Sequence, residues 1–193
     1  MRMFLPPRIL LMRRELYAQA EWTPESSDCV KAHGLDLDCI NAHTGLFAVC
    51  LCQIAGPNFD FFPDGVPAAV IEVLAEDGAT VVDLVAWPLD APDRFATACG
   101  EADILGIANM RNPATYAGGK PLAIHRTPLA WLKAGCSGCV VLNAAWGGVW
   151  LSRATGPLLA EDLAHGRELR RVMPKGFDTR RLLVPLDSMR RAA

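Results

Sequence analysis

Two β-branched segments around an Asp-Gly dipeptide constrain the fold more than any other feature of this sequence. Segments 69–74 and 80–85 are rich in Val, Ile and Leu, and Asp77-Gly78 lies between them. The dipeptide tolerates the positive φ angles that a tight turn requires, and β-branched residues favour extended backbone. The sequence therefore predicts an antiparallel hairpin over residues 69–86, turning at Asp77-Gly78, at the centre of an antiparallel or mixed sheet.

Helix signals lie on both sides of this hairpin. Thr23 and Thr127 each precede a proline, which places a capping hydroxyl before a residue suited to the first helical turn. A C-terminal helix is predicted over about 158–173, because its acidic residues come early and its arginines come late. We therefore expect a single α+β domain over residues 1–193.

The remaining segments are assigned from apolar runs and turn residues. Buried strands are predicted at 46–52 and 139–142, and an edge strand at 182–184. Short helices are expected at 90–99 and 102–110, a long loop at 56–67, and an N-terminal strand or arm. Alternating strand–helix units of the parallel type are expected at most once, around 121–143.

The charge distribution is uneven although the formal net charge is only −2. Residues 1–14 carry four Arg and no acid, residues 15–149 carry 6 bases and 16 acids, and residues 150–193 carry 9 bases and 5 acids. The basic ends either lie across the acidic middle or expose arginines to an acidic partner. The candidate binding residues in the basic segment 150–193 are Arg167, Arg170 and Arg171.

A second candidate binding site lies where a predicted strand meets a predicted helix. His125 and Arg126 come directly before the capping Thr127, and such corners often line sites because helix N-termini attract anions. Trp146, next to Gly147-Gly148, is a further candidate. The alternative is an exposed corner in which Arg126 pairs with an acid of the acidic middle.

Seven cysteines cannot all pair within the chain, and in a domain of this size we expect free thiols, many of them buried. The repeated Cys-x3-His spacing and one Cys-x2-Cys nevertheless resemble sets of metal ligands. The candidate ligands are Cys29, His33, Cys39 and His43 in one set and Cys136 and Cys139 in the other. We expect Cys39 and His43 on a strand and a turn, which would separate them, and therefore favour core cysteines over a metal site.

The sequence contains no Gly-x-Ser-x-Gly, no phosphate-binding glycine loop and no His-Glu-x-x-His. We therefore expect a non-catalytic binding or interaction module, without a cofactor, that acts through its basic C-terminal third. A protein partner or self-association is favoured over nucleic acid, because Phe177 is the only aromatic residue among the C-terminal arginines. The alternatives are a Cys/His metal-binding protein or metal-dependent enzyme, and a nucleic-acid-associated accessory protein.

The sequence also predicts where the protein is located in the cell. No run approaches the roughly 20 apolar residues of a membrane span, so no membrane partner is expected. Arg8 and the preceding prolines interrupt the apolar N-terminus and argue against a secretion signal. The excess of Arg over Lys hints at a bacterial source. We expect a bacterial cytoplasmic protein.

Overall fold

The computed structural model describes residues 7–20 and 23–185 and has the α+β class that the sequence predicts. Its N-terminal half places helices before a group of strands. These elements are α1 (Pro7–Gln19), α2 (Pro24–His33), α3 (Leu37–Thr44), β1 (Phe47–Ala55), β2 (Asn58–Phe61), β3 (Val66–Leu74), β4 (Val81–Pro88) and β5 (Ala96–Thr97).

The C-terminal half alternates strands and helices. Its elements are β6 (Ile104–Leu105), β7 (Leu122–His125), α4 (Pro128–Lys133), β8 (Cys139–Val141), α5 (Ala144–Ser152), β9 (Leu158–Ala160), α6 (Leu163–Val172) and β10 (Leu182–Leu183). Short 3₁₀ helices span Ile107–Met110, Pro113–Gly119 and Thr179–Arg181.

The predicted hairpin is confirmed as β3 and β4, which pair antiparallel from Ala68 opposite Pro88 to Leu74 opposite Val81. Asp77 organises the turn, since its Oδ1 accepts hydrogen bonds from the backbone N–H of Ala79 at 2.9 Å and of Thr80 at 2.8 Å. The Thr80 hydroxyl donates to Asp77 Oδ2 at 2.6 Å, and this bond, with the two backbone bonds, holds the pKa of the Asp77 carboxyl low, at about 2. The turn is therefore fixed by its own residues.

The hairpin belongs to a small closed, barrel-like sheet with strand order β1-β2-β5-β4-β3. Successive side chains of a β-strand point to opposite faces of the sheet, so they pack in two different hydrophobic clusters. Val70 and Leu84 pack in one cluster with Ile9 and Leu16 of α1, whereas neighbouring residues such as Ile71 face the opposite cluster. The helix α1 therefore covers one face of the sheet.

The expected N-terminal strand or arm is thus a helix from Pro7 onward, and the residues before it lie outside the described part. Two of its arginines pair with the acidic middle: Arg13 Nε lies 2.7 Å from Glu72 Oε1, and Arg8 Nη2 lies 3.1 Å from Asp60 Oδ1. Glu72 is 2% exposed and the Arg13 side chain is 31% exposed, so this ion pair links a buried carboxylate to the surface. From Pro7 onward, two arginines of the N-terminal basic segment therefore pair with the acidic middle.

The second sheet has strand order β10-β9-β7-β8-β6, in which β10, β9, β7 and β8 are parallel and β6 is antiparallel. The helices α4, α5 and α6 connect the successive parallel strands. The expectation of a single parallel unit is therefore wrong. Most of these strands have only two or three residues, which is too short for a clear periodic signal.

The helix α4 lies between the two sheets. Its Leu129, Trp131 and Leu132 share a buried cluster with Ile71 and Trp87 of the barrel-like sheet. The helices α5 and α6 cover the other face of the second sheet through a separate cluster that contains Leu151 and Leu169. The capped helices predicted after Thr23 and Thr127 are both present.

Several sequence assignments are wrong in detail. The C-terminal helix begins at Leu163 rather than 158, because Leu158–Ala160 pairs with β7 as a strand and Asp162 caps the helix after it. The segment 56–67 contains β2 rather than only a loop, and Phe59 and Phe61 are buried in it.

The short helices expected at 90–99 and 102–110 are absent, since turns and short strands occupy most of these positions and one 3₁₀ turn ends the second. The buried carboxylate of Asp83 accepts hydrogen bonds from the backbone N–H groups of Cys99, Glu101 and Ala102. These three backbone N–H groups are therefore bound by one side chain. In the described ranges, no helix is long and apolar enough to cross a membrane.

Candidate metal centre

Asp36 begins the helix that carries the first two candidate ligands. Its Oδ1 accepts a hydrogen bond from the backbone N–H of Cys39 at 3.1 Å, which caps α3. Cys39 and His43 are four positions apart on this helix and therefore share a face. The expectation that they lie on a strand and a turn is wrong, because the cap and the terminating Gly45 enclose a complete short helix.

Cys136 lies in the loop after α4 in an unusual backbone conformation. Its φ is 56°, the only positive φ of a non-glycine residue in the described ranges. Asn109 Nδ2 donates hydrogen bonds to the carbonyl oxygens of Cys136 at 2.9 Å and Gly138 at 2.8 Å. A left-handed conformation costs a non-glycine residue on the order of 1 kcal/mol. The surrounding contacts therefore hold the thiol in place against this cost.

The fold brings these three side chains together. One ligand atom from each of Cys39, His43 and Cys136 lies within 4.8 Å of the other two. His43 Nδ1 is 3.9 Å from Cys39 Sγ and 2.8 Å from the carbonyl oxygen of Cys39. Ligand atoms around a tetrahedral zinc ion lie roughly 3.5–3.8 Å apart, given Zn–S and Zn–N bonds of about 2.3 and 2.0 Å. Side-chain rotations that release His43 Nδ1 from its hydrogen bond to the Cys39 carbonyl oxygen would therefore place all three on one ion.

The cluster runs from the interior to the surface. Cys136 is 1% exposed, Cys39 is half-buried and His43 is exposed. Burial raises the pKa of the Cys136 thiol well above its usual range, and negative charge on Cys39 and Asp36 raises it further. A bound divalent cation would instead lower the pKa of this thiol, because it stabilises the thiolate directly and releases the proton.

The observed cluster draws one ligand from the second predicted set and two from the first. Cys29 and His33 lie on the separate helix α2, and neither belongs to the cluster. Cys139 is fully buried on β8 in the cluster under α5 and α6. Sequence spacing could not predict that Cys136 joins Cys39 and His43, because Cys39 and Cys136 are 97 residues apart.

A small cavity of about 80 Å³ lies beside the cluster of Cys39, His43 and Cys136, on the side of His43. Leu105, Gly106 and Trp131 form part of its wall. Trp131 is held rigidly there, since its Nε1–H donates a hydrogen bond to the carbonyl oxygen of Gly138 at 3.1 Å. The cavity has room for water-sized ligands beside the imidazole.

No protein-family model matches the chain. No curated protein matches its sequence. Any function must therefore be inferred from the chain's own residues.

The predicted corner at His125 and Arg126 lies at the carboxyl ends of the parallel strands. The chain passes from β7 to β8 on one side and then returns to β9 on the other side of β7. In parallel sheets, ligands commonly bind where the strand order reverses in this way. His125 and Arg126 therefore lie beside the reversal of strand order, a position that the sequence alone does not indicate.

The corner is nevertheless filled by its own ion pairs. Arg126 Nη2 lies 3.0 Å from Asp162 Oδ1 and 3.7 Å from Glu168 Oε2, and Nη1 lies 3.9 Å from Glu161 Oε2. His125 Nε2 lies 2.9 Å from the carbonyl oxygen of Ser137. Arg126 does pair with acids, but these belong to the C-terminal third rather than to the acidic middle.

The arginines of α6 differ from the other C-terminal bases. Arg167, Arg170 and Arg171 are exposed, and none forms an ion pair with any of the described residues, 7–20 and 23–185. By contrast, Arg180 Nε pairs with Asp178 Oδ1 at 3.0 Å. Arg181 donates to the backbone carbonyl oxygens at positions 152, 154 and 156. The helix α6 therefore carries much of the unpaired positive charge of this region, together with the exposed Lys175.

Trp146 lies near the start of α5 and is 60% exposed. The two glycines after it are buried within the helix rather than in a flexible loop. A β-carbon on Gly147 would meet the Val141 side chain, and one on Gly148 would meet the backbone of Val172. The glycines therefore permit close packing of α5, and Trp146 stays an exposed candidate without a formed pocket around it.

Proposed function

We propose that this chain binds a divalent transition-metal ion, zinc in the first instance, through Cys39, His43 and Cys136. A single observation carries the proposal: a thiol 97 residues away in sequence meets a Cys/His pair on one helix face. Two thiolates and one imidazole form a ligand set that zinc prefers over magnesium or calcium. The strained backbone of Cys136 supports a functional position for its thiol.

The proposed centre has an open coordination position. Within the described chain, no fourth Cys, His, Asp or Glu joins the three ligands. His43 borders the small cavity, so a water molecule or small ligand would reach the ion from that side. Zinc sites with three protein ligands and one exchangeable position are typical of centres that bind or activate small molecules.

Metal titration of the purified, reduced protein tests this proposal. Co²⁺ gives thiolate-to-metal absorption bands, so its addition should produce these bands up to one equivalent, and Zn²⁺ should then displace it. We expect Cys136→Ser and His43→Gln each to weaken Zn²⁺ binding at least tenfold, because each removes one of three ligands.

Cys99→Ser is the matched control, since Cys99 is a free, half-buried thiol outside the cluster. It should bind Co²⁺ like the parent. An absence of saturable binding in the reduced parent would contradict the proposal. Equal losses in Cys99→Ser and Cys136→Ser would contradict it too, because they would indicate adventitious binding to thiols.

We propose as a second function that α6 docks on an acidic protein surface, in a partner or a second copy of this chain. The supporting observation is that Arg167, Arg170 and Arg171 are exposed and without ion pairs in the described residues. The acidic middle of another copy, with 16 acids to 6 bases, offers charges of the complementary sign.

Sedimentation at low and moderate salt tests this second function. Self-association should weaken with salt and should be lost in Arg170→Ala/Arg171→Ala, whereas Arg14→Ala/Arg94→Ala makes the same charge change elsewhere on the surface. Fluorescence anisotropy with single- and double-stranded oligonucleotides distinguishes the alternative. Tight, strongly salt-dependent oligonucleotide binding lost in the α6 variant would favour nucleic acid and contradict the protein partner.

A further inference from the structure

A cavity of about 370 Å³ lies between the end of the β3–β4 hairpin and the edge of the second sheet. This volume is within the range of roughly 300–1,000 Å³ that is typical of small-molecule sites, which favour the junctions between structural units. Its wall includes Glu76, Asp77, Glu101, Asp103, Ile107 and Trp150. None of the three proposed metal ligands belongs to this wall, although Leu74, Ala75 and Ile107 also line the small cavity beside His43.

The walls of the cavity are apolar and fixed in position. Trp150 Nε1–H donates a hydrogen bond to Asp103 Oδ2 at 2.8 Å, and Asn143 Nδ2 donates to Asp103 Oδ1 at 3.0 Å. Arg153 stacks on the Trp150 ring at 5.1 Å from its centroid, which further restricts the indole. The aromatic wall is therefore formed before any ligand binds, and binding need not order it.

The rim of the cavity carries acids and no bases. Four of the lining residues are carboxylates, and none is Lys, Arg or His. Three of these carboxylates are already engaged: Asp103 accepts the hydrogen bonds described above, Glu76 Oε2 pairs with Arg111 Nη1 at 2.9 Å, and Asp77 accepts hydrogen bonds from its own turn. Glu101 is exposed and its side chain has no hydrogen bond or ion pair within the described residues.

We propose that this cavity binds an organic cation with an apolar or aromatic body and an ammonium or amidinium group. The apolar walls would bury the body, and the indole of Trp150 adds aromatic surface against which it would pack. Glu101 supplies the free carboxylate, and the surrounding acids disfavour anions. The inference does not require the proposed metal site, because Cys39, His43 and Cys136 do not line this cavity.

A matched series of three naphthalene compounds tests the inference by calorimetry and by chemical shift changes. The series is 1-naphthylmethylammonium, neutral 1-naphthylmethanol and 1-naphthoate, which share the aromatic body and differ in charge. We expect saturable binding of the ammonium compound, at least tenfold weaker binding of the alcohol, and no binding of the carboxylate. Glu101→Gln should weaken ammonium binding about three- to tenfold.

Asp93→Asn is the control, because it removes an exposed carboxylate outside the cavity. It should bind the ammonium compound like the parent, and thermal unfolding would verify that both variants are folded. Ile107→Phe, which fills the cavity from its wall, should abolish binding while leaving the protein folded. Equal binding of the alcohol and the ammonium compound, equal losses in Glu101→Gln and Asp93→Asn, or no ammonium binding at all would overturn the inference.

Discussion

At the residue scale, Asp83 shows how one buried carboxylate organises a segment without regular structure. It is 0% exposed and accepts hydrogen bonds from four backbone N–H groups, those of Leu84, Cys99, Glu101 and Ala102. Such bonds to a charged acceptor are stronger than bonds between neutral groups. The turn that leads to the 370 Å³ cavity therefore depends on this side chain.

Asp83→Asn should lower the free energy of unfolding by about 2–4 kcal/mol. The amide keeps one acceptor oxygen but turns its NH₂ group toward backbone N–H donors, which leaves buried donors unpaired. Urea unfolding measures the change. Asp93→Asn is the exposed control and should stay within about 0.5 kcal/mol of the parent; a similar small effect for Asp83→Asn would contradict the role assigned to this carboxylate.

His165 predicts a dependence of stability on pH. Burial, together with the nearby Arg126 guanidinium, lowers the pKa of this histidine below its ordinary 6.5, although Glu161, Glu168 and Asp162 oppose the shift. The unfolded chain therefore takes up a proton more readily than the folded chain. The contribution of His165 to stability is complete above pH 6.5 and is lost as pH falls below that value.

Unfolding measured between about pH 7.5 and 5.5 should therefore show a falling free energy of unfolding. His165→Gln keeps an acceptor for the backbone N–H of Glu161 but cannot be protonated, so its stability should change less over this interval. Parallel pH profiles for the parent and His165→Gln would show that His165 is not the group responsible.

At the element scale, the contact between α5 and α6 depends on the absence of a side chain at one position. Gly148 is buried on α5, and a β-carbon there would collide with the backbone carbonyl of Val172 at the end of α6. Because this neighbour is backbone, it cannot move aside by changing rotamer. The two helices can approach this closely only with glycine at position 148.

Gly148→Ala should lower the free energy of unfolding by about 1–3 kcal/mol, despite the better helix propensity of alanine. Thermal or urea unfolding measures the change. Ala144→Ser, at an exposed position of the same helix, is the control and should have a small effect. A stabilised Gly148→Ala variant would mean that propensity outweighs the packing of these helices.

At the scale of the whole molecule, the proposed metal centre joins distant parts of the chain. Cys39 and His43 belong to a helix that precedes the barrel-like sheet, whereas Cys136 follows the helix between the two sheets. An ion bound only by the folded arrangement stabilises it by mass action. The centre would therefore couple the two halves of the molecule.

Zn²⁺ at about 100 times its dissociation constant should raise the free energy of unfolding by about 2.7 kcal/mol. For a chain of this length, that gain corresponds to a rise in Tm of roughly 5–10 °C. Thermal unfolding with Zn²⁺ and with a chelator measures the shift, which Cys136→Ser should abolish and Cys99→Ser should retain. An unchanged Tm in the parent at saturating Zn²⁺ would contradict the coupling.

The sequence by itself determined the features whose causes are local. The turn at Asp77, the caps at Thr23 and Thr127, and the αL termination at Gly34 each involve residues within a few positions of one another. Their hydrogen bonds form in nearly any surrounding structure, so residue type and spacing are enough to predict them.

Only the tertiary structure decided the strand order of the second sheet and the residues of the candidate centre. Leu158–Ala160 satisfies a helical pattern as well as a strand pattern, and its pairing with β7 selects the strand. Cys136 meets Cys39 because α4 is buried between the two sheets. Such contacts depend on burial and hydrogen-bond partners that lie far away in sequence, and no local spacing of residues contains that information.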